Sequence, residues 1–175
     1  MYHFRTEHQE ETMIVYGLTP FEDLKNHWID KTASKLRYMN LLEPVNYFRP
    51  KEQITREQFA KLIVKLFGFN TDYQGTNTHI GDMSDTGENY KSVLALLDND
   101  ILNLDKEGNF YPKKPMSKAE AVTAMIRACK LRLIPESVDQ KTWPYQDVSP
   151  NHWVFPYLVT ALKNNIVSEI GRAHV

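Results

Sequence analysis

The sequence predicts an all-α protein built from tandem helix–loop–helix units. Three observations support this prediction: a short set of motifs recurs along the chain, apolar residues follow each motif at helical spacing, and two predicted helices open with a capping box. The composition supports a folded core, because 42% of the 175 residues are hydrophobic and 11% are aromatic.

Each unit opens with an aspartate motif. All three copies have the aspartate and two have a His-Trp pair: Asp23 with Trp28, Asp82, and Asp147 with Trp153. The middle copy carries Gly87-Glu88 in place of His-Trp. Thirteen residues after the tryptophan, or after Glu88, each copy has an apolar pair: Leu41-Leu42, Ile101-Leu102 and Ile166-Val167.

The first helix of each unit is predicted between the aspartate motif and the apolar pair. Apolar residues recur there at helical spacing: Trp28, Ala33, Leu36 and Met39; Val93, Leu94 and Leu97; Tyr157, Leu158, Ala161 and Leu162. The residue before each pair tolerates the left-handed backbone that ends helices, which predicts C-caps at Asn40, Asp100 and Asn165. Pro156 fits only in a first turn, so that helix is predicted to start near His152 or Trp153.

The second helix of a unit is predicted in two copies. Phe48-x-Pro50 and Phe110-x-Pro112 are each followed, five residues after the proline, by the hydroxyl residue of a capping box. The boxes are Thr55 with Gln58 and Ser117 with Glu120, and apolar residues follow both at helical spacing. Pro135 and Pro144 interrupt the next stretch, which predicts a connector there.

Together these motifs resemble the S-layer homology domain, over about residues 21 to 168. The resemblance implies a pseudo-threefold helical bundle in which grooves between repeats bind a secondary cell-wall polymer, often a pyruvylated, anionic glycan, or a peptidoglycan-linked glycan. The predicted organisation is an N-terminal segment or end of a preceding domain (1–20), repeat one (21–70), repeat two (78–132), a connector (133–144) and the first half of repeat three (145–168). Residues 169–175 match the peptide that a common sequencing adapter encodes, so we expect a non-native tail there.

The resemblance also implies which residues bind the glycan: Arg56, Lys118, Asp23, Asp82, Asp147, Trp28 and Trp153. Arg56 follows a helix N-cap, where a guanidinium can bind a carboxylate bidentately, and it is expected to be the principal anion contact. Lys118 is the equivalent point charge and a secondary contact. The tryptophans would stack on sugar faces, and the aspartates would accept hydrogen bonds from sugar hydroxyls.

Some features depart from the family pattern or have structural alternatives. Repeat one reads Thr-Arg-Glu-Gln where the family has Thr-Arg-Ala-Glu, and Glu88 would repel an anionic sugar. The tryptophans could be core residues, the aspartates could only cap turns, and the two cations could be solvated first-turn residues. His27 and His152 are interpreted as turn or capping residues rather than metal ligands.

Several function classes are disfavoured. The net charge of −1 gives no global attraction to nucleic acid, and no apolar run approaches the ~20 residues of a membrane span. The single cysteine, Cys129, rules out a disulfide within the chain and is interpreted as a core residue. No catalytic, nucleotide-binding or EF-hand motif is present, so we expect no catalytic residues, metal site or cofactor.

The sequence therefore predicts a non-catalytic anchoring module outside the cell, on the bacterial cell wall or S-layer surface. The alternatives are a self-assembling or protein–protein module, including a homo-oligomer in a surface layer, and the anchor of an exported hydrolase. In the last case the catalytic domain would lie outside this sequence. The N-terminus has no signal-peptide hydrophobic region, so we expect the true start to lie upstream.

Overall fold

A computed structural model describes residues 2–6, 9–13, 20–72, 79–84, 86–134, 143–145 and 147–167. These residues form a hairpin and five helices: β1 Tyr2–Thr6, β2 Gln9–Met13, α1 Asp30–Tyr38, α2 Arg56–Phe67, α3 Glu88–Asp98, α4 Lys118–Ala128 and α5 Phe155–Lys163. The predicted helical fold class is confirmed for the repeats, and a short hairpin precedes them. The chain divides into two compact units, Met1–Glu52 and Gln53–Val175.

The first unit contains the hairpin and α1. β1 and β2 pair as antiparallel neighbours in continuous register. After a single helical turn at Glu22–Leu24, α1 packs through Ala33 against Phe21 and Leu24, and all three are almost inaccessible to solvent. The rings of Phe21 and Phe48 meet edge to face with their centroids 5.5 Å apart, so the Phe-x-Pro segment joins the same small core.

The second unit contains two buried clusters, and α4 contributes to both. Ala124 and Ala128 belong to the first cluster, with Phe59 and Ile63 of α2, Val93 and Leu96 of α3, and Phe110. Ala119, Val122 and Ile126 belong to the second, with Tyr145, Val148, Val154 and four residues of α5: Phe155, Leu158, Val159 and Ala161. The faces of α4 thus join one repeat to the next through apolar contacts.

The first helices of the three repeats end in the same way. The predicted C-cap residues have left-handed backbone, with φ of 58° at Asn40, 57° at Asp100 and 55° at Asn165. The next N–H in each copy donates to a carbonyl of the last helical turn: Leu41 to Leu36 (3.0 Å), Ile101 to Leu96 (2.8 Å) and Ile166 to Ala161 (2.9 Å). The left-handed conformation predicted for these residues is confirmed, although the C-caps themselves are the preceding residues, Met39, Asn99 and Asn164. This closure explains the constant position of the apolar pair.

The second helices begin as predicted. Both capping boxes are complete: the Thr55 hydroxyl accepts from the Gln58 N–H, and the Ser117 hydroxyl accepts from the Glu120 N–H, with the reciprocal side-chain contacts also formed. The segments before them are also joined, because the Met116 N–H donates to the Ile54 carbonyl at 2.9 Å. The N-termini of α2 and α4 therefore lie beside each other.

Three side chains of the predicted helices are exposed rather than buried. Trp28 is 82% exposed and Met39 is 52% exposed, so the apolar pattern predicted for the first helix is not buried at these two positions. Cys129, which follows the last residue of α4, is exposed, so its interpretation as a core residue is wrong. Pro156 does lie in the first turn of α5, which begins at Phe155. No helix in the described part of the chain has the length and hydrophobicity of a membrane span.

Candidate functional site

The aspartates of repeats one and two hold the Phe-x-Pro segments of their own repeats. Both carboxylates accept two backbone N–H groups: Asp23 from Phe48 (2.8 Å) and Arg49 (2.6 Å), and Asp82 from Phe110 (2.7 Å) and Tyr111 (2.6 Å). This equivalence supports the predicted repeat. The two aspartates therefore have the same structural role in both copies.

The middle residue of each Phe-x-Pro segment explains the need for these bonds. Arg49 and Tyr111 have φ of 59° and 58°, in the left-handed region that is unfavourable for residues with a Cβ. The carboxylate fixes the N–H of this residue and of the phenylalanine before it. At Asp23, desolvation raises the carboxyl pKa, but hydrogen bonds from the Phe48 and Arg49 N–H groups outweigh it, so the net pKa is lowered.

The two His-Trp pairs have matching geometry. His27 Nδ1 accepts the Ile29 N–H and His152 Nδ1 accepts the Val154 N–H, both at 3.3 Å, so their interpretation as turn residues is confirmed. The adjacent indoles lie 5.8 and 5.7 Å from the imidazoles. Trp28 is 82% exposed and Trp153 is 54% exposed, so the alternative that they are core residues is wrong, and their ring faces are accessible to a ligand.

Arg56 is engaged within the protein. Its Nε donates to the Phe110 carbonyl at 2.8 Å, its guanidinium lies 4.7 Å from the Phe110 ring centroid, and Nη1 pairs with Glu120. Only 11% of its side chain is exposed, so the solvated alternative is wrong. The first N–H groups of α2 also have partners, since those of Arg56 and Glu57 donate to the Lys114 and Pro112 carbonyls.

We call the contact between the start of α2, the start of α3 and residues 110–116 the first seam. Glu57 lies in it and is 8% exposed, and its carboxylate accepts from Asn89 Nδ2 at 3.1 Å and pairs with Lys113. Lys61 pairs with Glu88 at 2.9 Å nearby. In the sequence, Glu57 differs from the family alanine, but it is not among the predicted site residues.

We call the contact between the start of α4, the start of α5 and the described residues of 143–148 the second seam. The Lys118 ammonium lies 5.0 Å from the ring centroid of the buried Tyr145. The Trp143 ring meets Tyr145 edge to face and lies tilted against Phe155, with centroids 5.4 and 4.7 Å away, and its indole N–H donates to the Val148 carbonyl at 2.9 Å. The floor of the second seam is therefore aromatic.

Two positions distinguish the seams. Alignment of the capping boxes places Ala119 where the first seam has Glu57, and the His-Trp position places Val154 where it has Asn89. Ala119 and Val154 are buried in the same cluster. Their sequence neighbours Lys118 and Trp153 are thereby brought to this seam, with Asp147 exposed in the adjacent turn.

The structure thus groups some of the predicted site residues and separates others. Lys118, Trp153 and Asp147 border the second seam. Arg56 and Asp82 both contact the Phe110 segment at the first seam, whereas Asp23 and Trp28 belong to the other unit. No three His, Cys, Asp or Glu side chains of the described residues are grouped as metal ligands would be.

Comparison with known proteins agrees with this repeat structure. The family model of the S-layer homology domain matches residues 20–60 and 80–122. A cellulosome-anchoring protein of Acetivibrio thermocellus is 26% identical over 127 residues, which cover 71% of this chain and 28% of that protein. Residues 20–60 and 80–122 are therefore S-layer homology domain repeats.

Proposed function

We propose that these repeats anchor the protein that carries them to the bacterial cell surface, by binding an anionic cell-wall glycan at the second seam. The observation that carries the proposal is the composition of that seam: a cation, an exposed tryptophan and an aromatic floor, with alanine at the position of Glu57. The name of the Acetivibrio relative supports the same role, although this chain spans 28% of that protein's length.

The chemistry of the second seam suits a charged sugar. Lys118 can pair with a carboxylate such as a pyruvate ketal, while the Tyr145 ring beneath it holds the cation in place. The exposed face of Trp153 can cover the apolar face of a sugar ring. Asp147, exposed beside them, can accept hydrogen bonds from sugar hydroxyls. The action is binding without catalysis, strengthened by several attachment points on one polymer.

We further propose that Lys118 is an anion contact at the second seam, whereas Arg56 acts mainly within the protein. Arg56 already serves the Phe110 carbonyl, the Phe110 ring and Glu120, and 11% of its side chain is exposed. A glycan carboxylate would have to displace Glu120 to reach it. Arg56 is better suited to hold the starts of α2 and α4 together.

A pull-down with purified cell-wall sacculi tests the proposal. The protein should bind intact sacculi and lose binding when the wall polymer is chemically removed. Lys118→Ala should weaken binding at least about tenfold, because a charge-assisted contact contributes ~1.5–3 kcal/mol. Lys106→Ala, in an exposed loop, is the matched control and should bind normally. Equal binding to intact and stripped sacculi would refute the proposal.

A further inference from the structure

Glu57 is an acidic side chain held inside the first seam. We propose that it acts as an internal substitute for a ligand: its carboxylate occupies the donors that a glycan carboxylate would use, and so excludes an anionic glycan from this seam. This inference rests on the proposed function and deepens it. It makes Glu57 a residue that determines which of the two seams binds.

The contacts of Glu57 resemble those of a bound anion. The side chain of Glu57 is 11% exposed, and its carboxylate receives an amide N–H from Asn89 on α3 and pairs with the ammonium of Lys113, just after the Phe-x-Pro segment. These donors come from two different parts of the repeat and converge on one group. A second carboxylate entering the same place would find its donors taken and a like charge beside it.

The charges around Glu57 are also paired with each other. Besides the pair of Glu57 with Lys113, Arg56 pairs with Glu120 and Lys61 pairs with Glu88. Lys113 is the accessible member, with 80% of its side chain exposed. Removal of the Glu57 carboxylate alone would therefore leave an accessible cation and the Asn89 amide facing an unfilled space.

The second seam provides the template for the test. Its equivalent residue is Ala119, the second residue of α4, which is 1% exposed. An alanine is therefore compatible with this part of the repeat. The variant Glu57→Ala gives the first seam the same residue. The volume and charge of the carboxylate are lost together, while Lys113 and Asn89 remain.

The experiment compares Lys118→Ala with the double variant Glu57→Ala, Lys118→Ala. The probe is a synthetic hexosamine glycoside with a pyruvate ketal, and binding is measured by calorimetry after circular dichroism has checked each fold. We expect Lys118→Ala to lose binding. The double variant should bind the probe at least tenfold more tightly than Lys118→Ala does. Adding Lys113→Ala should remove the regained binding.

Each outcome separates the two proposals. If the unmodified chain binds but the double variant does not regain binding, the role of Glu57 is wrong and the proposed function stands. If the unmodified chain does not bind but the double variant, which carries Glu57→Ala, does bind, the role of Glu57 stands and the second-seam site is wrong. If none of these proteins binds, both are wrong.

A conservative variant separates charge from space. Glu57→Gln, in the Lys118→Ala background, removes the charge but fills the same volume and still offers an oxygen to Lys113. We expect it to regain less than a third of the binding that Glu57→Ala regains. Equal recovery by the two variants would overturn the claim that the side chain occupies the place of a ligand.

Discussion

The two seams of the second unit share a backbone plan and differ in their contents. In both, a second helix opens with a capping box and packs beside the first helix of the next repeat. In the first seam Glu57 contacts Asn89 and Lys113, whereas in the second Ala119 and Val154 are buried in one apolar cluster. Two positions thus change a polar, internally paired seam into an apolar one bordered by a lysine and a tryptophan.

This difference shows that fold and site can be separated within one repeat. The capping boxes, the C-caps and the aspartate contacts are the same in the copies compared, and they fix the path of the chain. The residues that change lie between these fixed points. A repeat can therefore keep its architecture while the polarity of its seam changes.

The largest effect is expected when the second seam receives the residue of the first. Ala119→Glu should destabilise the protein by about 3–5 kcal/mol, because the carboxylate would be buried against Val154, which has no side-chain donor. The free energy of unfolding from denaturant titration measures this loss.

A partner substitution provides the control for Ala119→Glu. Val154→Asn supplies the amide that Asn89 gives to Glu57, so the double variant should be about 1–2 kcal/mol more stable than the sum of the single effects. Strict additivity would show that the two positions are not coupled as their equivalents in the first seam are.

The equivalent cations should differ in their effect on stability. Arg56→Ala should cost about 2 kcal/mol, since it removes a nearly buried charge that contacts the Phe110 carbonyl and Glu120, and Glu120 stays partly solvated. Lys118→Ala should cost less than ~1 kcal/mol. Thermal unfolding of both variants makes the comparison, and equal losses would contradict the distinct roles given to them.

The two exposed tryptophans can be compared by their effects on binding. Trp153→Ala should weaken binding to sacculi about fivefold, equivalent to ~1 kcal/mol, with a change in stability within ~0.5 kcal/mol. Trp28→Ala has the same His-Trp geometry in the first unit and is the matched variant, expected to have a smaller effect. A large loss of stability in Trp153→Ala would mean that this indole supports the fold.

The smallest effect is expected for the exposed partner of Glu57. Lys113→Ala should destabilise by less than ~1 kcal/mol, because 80% of the lysine side chain is in solvent and such pairs are screened. The difference should shrink further in high salt. Lys106→Ala is the exposed control, and a loss well above that limit would show that Glu57 depends on Lys113 alone.

The features predicted correctly from the sequence are local ones. Capping boxes, left-handed helix ends and the histidine turns depend on residues two to five positions apart, so a short window contains the whole interaction. The repeat itself was evident because these local signals recur in order. Asp23 and Asp82 were correctly recognised as equivalent, although their backbone partners lie 25 to 29 residues away.

The composition of the seams could not be predicted in the same way. Glu57 meets Lys113 across 56 residues, and Arg56 meets Glu120 across 64. Whether a charged residue of a first turn points to solvent, to a ligand or to an internal partner depends on which distant segment packs over it. The capping signals do not contain this information, and for this reason the internal contacts of Arg56 and Glu57 could not be predicted from the sequence.

The Phe-x-Pro segments have a consequence for variation. Their left-handed middle residue is held by an aspartate, so its conformation does not require glycine, and one copy has arginine there while the other has tyrosine. An unusual backbone shape thereby becomes compatible with chemically different side chains. The backbone at this position keeps the same conformation in both repeats. Each repeat can therefore carry a different side chain there without a change in the path of its loop.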